Sequence, residues 1–149
     1  MSVLYRAMNR EAIALMEGRA TAKPFDPALH EAGHCVVAYL LGATVRHVTL
    51  RPSPCNPGPH TCSHTEDPQI RGAVLWGGAV AERTMAWATH DFERLAELGL
   101  HKPGPAFDLA ESVIAANGAA VGVISAALRE PAREGILFGE EIEALLRPL

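Results

Sequence analysis

The pentapeptide His30-Glu31-Ala32-Gly33-His34 constrains this chain more than any other stretch. Residues four apart on an α-helix stand on one face, so two imidazoles at that spacing can reach one divalent ion at about 2.0–2.1 Å, leaving positions open for water. Glu31 lies next to the pair. A carboxylate there can take the proton from a water whose pKa the ion has lowered to about 7, which makes a nucleophile for amide hydrolysis. The pattern predicts a zinc hydrolase of the peptidase kind. The plain alternative is two histidines bordering a core helix.

The flanking residues predict that the pentapeptide is helical. Asp26 is a side-chain cap followed by Pro27 at the first helical position, and Gly42 supplies a stop, so a helix is expected from Pro27 to Leu41. Leu29, Gly33, Val36, Val37, Leu40 and Leu41 share one arc of it, with His30 and His34 at the edge and Glu31 further round.

Other classes are excluded by what surrounds this helix. The chain has 149 residues, 48% hydrophobic and 20% charged, which fits one globular domain able to bury a core without staples. Net charge is −4 with no Lys/Arg cluster, so neither a nucleic-acid footprint nor a polybasic membrane patch is expected. Cys35, Cys55 and Cys62 lack a disulfide-type spacing, and the first residues carry Arg6, Arg10, Glu11, Glu17 and Arg19 in place of an apolar leader core. The expectation is a cytoplasmic protein. Ser112 to Leu128 is uncharged, but the Asn117-Gly118 break predicts a pair of buried helices there, not a membrane span.

Residues 2–19 read as a helix ending at Gly18, and Thr21 to Pro24 as a linker, dividing the chain into an N-terminal helix with linker (1–24) and a main domain (25–149). Thr44 to Arg51 reads as a strand closed by Pro52, and Ser53 to Pro59, with three prolines, as a loop. His60 to Thr65 reads as a second short strand. Its His60, Cys62 and His64 share one face and, with Cys55, suggest a second metal cluster. H-x-C-x-H lacks the paired spacing of structural zinc sites, so a polar strand beside the cleft is the expectation. Asp67-Pro68 starts a helix running to about Ala88, whose Gly72, Gly77 and Gly78 predict close packing against the motif helix. A helical turn or two from Phe92 to Leu98, helices from near Ala106 and on to about Arg129, and a last one from Phe138 to Leu146 follow. The predicted fold is mainly α, of the α+β class, with a sheet of two or three strands beside the motif helix.

Two histidines do not hold a catalytic zinc; three protein ligands and a water are usual. By chemistry alone Glu82, Asp108, Glu111, His90 and His101 are all candidates for the third. The run His30-Glu-Ala-Gly-His-Cys-Val-Val-Ala-Tyr-Leu-Leu-Gly42 resembles the zinc helix of the FtsH family of AAA proteases. Arg46 to Pro52 resembles the strand that follows in those enzymes, Gly77-Gly78-Ala79-Val80-Ala81-Glu82-Arg83 their glycine-rich helix, Phe107-Asp108-Leu109 their Asn-Asp-Leu segment, and Gly139 to Ile142 their C-terminal helix start.

The resemblance implies that His30 and His34 are zinc ligands, Glu31 the general base, Asp108 the third ligand and Glu82 a supporting carboxylate. It also implies that His60 to Thr65 is the strand an extended substrate pairs with. No G-x-x-x-x-G-K-[ST] phosphate loop occurs in these residues, which implies an ATP-independent peptidase acting on peptides or unfolded chains, or one supplied by a separate delivery partner. The family's rings raise the expectation of a homo-oligomer. The alternative is a zinc-containing, peptidase-like module that binds another protein without cleaving it.

Overall fold

The computed structural model describes residues 2–54 and 56–149. Helices α1 (Val3–Met16) and α2 (Pro27–Leu40) are followed by strands β1 (Thr44–Thr49) and β2 (His60–His64). Helices α3 (Pro68–Glu82), α4 (Thr89–Glu97), α5 (Pro105–Ala116) and α6 (Gly118–Arg129) come next. Strand β3 (Ile136–Phe138) and helix α7 (Gly139–Leu146) end the chain. This is the mainly helical α+β fold expected, with a small antiparallel sheet in the order β2-β1-β3.

α2 is the central element. Asp26 caps it by accepting from the Leu29 amide, Pro27 occupies the first turn, and every residue from His30 to Ala38 is buried. A helix covered on all sides needs no single apolar arc, and this one divides the interior into two cores. Val37 and Ala38 join Met8, Trp76, Leu95 and Phe107 on one side. Ala32, Cys35 and Val36 join Val48, Ile124, Leu128 and Ile142 on the other.

The close approach of α2 and α3 comes from paired glycines. A side chain on Gly77 would bring its Cβ within 2.7 Å of the Gly33 carbonyl oxygen, and one on Gly33 would strike the Gly77 carbonyl. The backbones therefore touch, as the glycine-rich pattern predicted. α3 ends earlier than the sequence suggested. Arg83 adopts a left-handed conformation (φ 57°) at its C-cap, and the chain from Thr84 to Ala88 turns instead of continuing the helix.

α1 lies on the first core. Met8 is fully buried, Tyr5 packs edge-on against Trp76 and Phe107, and hydrogen bonds join Ser2 to Glu111 and Thr84 to Glu11. The uncharged stretch forms α5 and α6, bent by 81° across Asn117; among the described residues no single helix is long and apolar enough to cross a membrane. Phe138, read from sequence as the start of the last helix, belongs instead to residues 136–138, which pair with β1 as a third strand: His47 opposes Phe138 and Thr49 opposes Ile136.

Candidate metal centre

His30 and His34, one turn apart on α2, converge on a single point. Their Nε2 atoms are 3.1 Å apart, and Asp91 Oδ2 from α4 lies 3.1 Å from the first and 3.2 Å from the second. Each ring is oriented from its far side. His34 Nδ1–H donates to the Val74 carbonyl on α3 at 2.6 Å, and His30 Nδ1–H donates to Glu82 Oε1 at 2.6 Å. Glu82 is itself held, its other oxygen accepting from the Asp26 amide at the start of α2.

These outer bonds fix the tautomers. With both Nδ1 atoms protonated, both Nε2 atoms present lone pairs, and a carboxylate oxygen meets them in a buried place. Three acceptors about 3 Å apart repel one another unless a cation or added protons lie between them. Three ligands around a tetrahedral ion at 2.0–2.1 Å stand about 3.3 Å from one another, so the observed triangle fits one ion. His30, Glu31 and His34 are all buried and their ligand atoms lie close enough to hold a metal ion. Asp91 is the carboxylate that touches both Nε2 atoms, through Oδ2 at 3.1 and 3.2 Å.

In the metal-free chain the same convergence binds protons. Burial lowers the His34 pKa, but Asp91, which faces it, outweighs that and raises it to about 10. His30 is raised on balance too: burial opposes, and hydrogen bonds to Asp91 and Glu82 prevail. Burial pulls Asp91 upward, yet the two imidazoles hold it well below the usual carboxylate range. Cys35, behind the motif, is pushed up to about 12 by burial and then by Glu31, so it is an inert thiol.

Gly78 makes room for the centre. A Cβ there would lie 2.5 Å from His30 Nε2 and 2.6 Å from His34 Nε2. Glu31 sits on the neighbouring side of α2 and lines the same cleft, where the Thr61 hydroxyl of β2 donates to its carboxylate at 3.1 Å. The cleft has a volume of about 1150 Å³. β2 forms one wall; Phe25 and Trp87, half-exposed and in ring contact with each other, form another. On the sheet wall, burial and then His60 and Arg46 push the His47 pKa down.

Asp108, which the resemblance implied as the third ligand, is not among the residues lining this cleft. Asp108 lies in the first turn of α5, but Phe107 and Ala110 take the inward face of that helix, so Asp108 is exposed and lines a separate small depression with Ser2 and Glu111. His90 is exposed and pairs with Glu93, and His101 does not line the cleft. Asp91 was missed by sequence reasoning, which stopped one residue short at His90. A signal was present: Asp91 and the fully buried Leu95 are four apart, so an acidic residue heads the inward stripe of α4. In the second proposed cluster, His60 meets His47 of β1, His64 is exposed at the far end of β2, and Cys55 lies outside the described residues.

Compared with models of protein families and with curated proteins, this chain matches none.

Proposed function

We propose that this chain is a zinc metallopeptidase that hydrolyses peptide bonds in peptides or unfolded chains, with His30, His34 and Asp91 as zinc ligands and Glu31 as general base. The observation that carries the reading is the triangle of His30 Nε2, His34 Nε2 and Asp91 Oδ2, with both tautomers set by Glu82 and Val74. Two imidazoles and one carboxylate, with a cleft on the open side, are the donor set of a catalytic rather than a structural zinc site. A zinc ion held there would polarise a scissile carbonyl and acidify a water.

The chain's own residues do the rest. Glu31 receives the proton from the attacking water and returns it to the leaving amine, and Thr61 keeps its carboxylate aimed into the cleft. β2 is an edge strand lying along the cleft, so an extended peptide can add to it by main-chain hydrogen bonds. The resemblance of the motif helix and the glycine-rich helix to FtsH peptidases supports the same reading. Glu31→Gln should abolish hydrolysis of an unfolded protein or peptide library while leaving bound zinc unchanged; full activity in that variant would sink the assignment.

One observation favours the second reading, a zinc-containing module that binds a partner without cleaving it. Val3, Ile13 and Met16 leave apolar surface exposed on α1, away from the cleft. Partner capture that is undiminished in Glu31→Gln, with no cleavage by the native chain, would select it.

A further inference from the structure

We propose that His47 and His60 form a second transition-metal site, on the sheet wall of the cleft and separate from the His30–His34 centre. In the β1–β2 ladder Thr49 opposes His60 and His47 opposes Cys62, so the two histidines stand diagonally across the strand pair. Their Nε2 atoms face each other at 3.3 Å. Two nitrogens on one tetrahedral ion at 2.0–2.1 Å stand about 3.3 Å apart, which is the spacing of these two.

The tautomer of His60 is already that of a ligand. Its Nδ1–H donates to the Gly58 carbonyl at 3.0 Å, which leaves the Nε2 lone pair directed at His47. Both rings line the cleft, so coordination positions beyond these two open to water. Cys62, the cross-strand partner of His47, is a free thiol of intermediate burial and places a soft donor on the adjoining rung. Two imidazoles select borderline ions such as Zn²⁺ and Co²⁺ over Ca²⁺ or Mg²⁺. An ion here would tie β1 to β2 at the wall along which β2 presents its edge.

The test is a Zn²⁺ titration of the full chain stripped of metal, read by native mass spectrometry and repeated with Co²⁺ read by its visible absorption. The native chain should take up one ion tightly and a second more weakly. His47→Ala and His60→Ala should each lose the second step and keep the first, His34→Ala should lose the first and keep the second, and His64→Ala should keep both. A native chain that takes up a single ion overturns the proposal. So does an unchanged second step in His47→Ala and His60→Ala, or its loss in His64→Ala. Failure of the first step alone would count against the His30–His34 centre and leave this site standing.

Discussion

Replacing Gly78 by alanine tests the metal centre without removing any ligand. The added methyl would lie 2.5 Å from His30 Nε2 and 2.6 Å from both His30 Cε1 and His34 Nε2. An ordinary carbon–nitrogen contact is about 3.5 Å, so roughly 1 Å must be found. Separating the helices to supply it would open the close Gly33–Gly77 backbone packing. The imidazoles must rotate away. Overpacking of this kind costs about 1–3 kcal/mol, strained imidazole hydrogen bonds to Glu82 and Val74 add about 1–3 more, and the better helix propensity of alanine returns about 1, so the metal-free fold should lose ~1–5 kcal/mol. Zinc affinity should suffer as well. Displacing even an outer partner of a ligand weakens binding about 10–100-fold, and here the ligating nitrogens themselves move, so a loss of at least 100-fold is expected.

The assay is competition for Zn²⁺ with a chromophoric chelator, beside thermal melts of the metal-free protein. Gly122→Ala is the control: its Cβ meets nothing within 4 Å on α6, so stability should rise by about 0.5–1 kcal/mol with zinc affinity unchanged. Native-like zinc affinity in folded Gly78→Ala would refute the convergence of the two Nε2 atoms beside α3.

Other outcomes follow from the same geometry. Asp91→Ala should lose bound metal while Asp108→Ala keeps it, by mass spectrometry of protein purified without added metal; the reverse result would restore Asp108 as the ligand. Glu82→Gln should weaken zinc about 10–100-fold without abolishing it, since His30 Nδ1 keeps an acceptor but loses a charged one. In chelator, stability should depend on pH. The folded pKa of His34 is raised from 6.5 to about 10, so its contribution is complete below about pH 6.5 and is lost as pH rises toward 10. Asp91 is depressed from 3.8, so its part is present above that value and lost as pH falls below it. Melting temperature in chelator should therefore decline from about pH 7 to 10, and saturating zinc, which replaces those protons, should flatten the decline. A flat profile in chelator would count against the imidazole–carboxylate cluster.

Local chemistry in the sequence was enough for the helix that carries the centre. Asp26-Pro27 starts α2 and the i, i+4 spacing brings His30 and His34 together, because capping and helical period act within a turn or two. The paired glycines likewise declared a close helix contact, since lack of a side chain is readable wherever it occurs. The end of α3 was not legible, because a left-handed Arg83 is an unfavourable local choice, held here by the Thr84 amide donating to the Ala79 carbonyl and by burial of Thr84.

Nor was the carboxylate that meets the two imidazoles. Asp91 and Asp108 each occupy the first turn of a helix, and nothing local distinguishes them. What separates them is which way each helix turns as it docks. Phe107 and Ala110 seat α5 against α3 and point Asp108 outward, while Leu95 seats α4 so that Asp91 reaches both imidazoles. The sequence determined the two nitrogens, the Glu31 carboxylate beside them and the glycine at position 78; only tertiary packing, which docks α4 against α3, decided that Asp91 is the carboxylate lying beside both imidazoles.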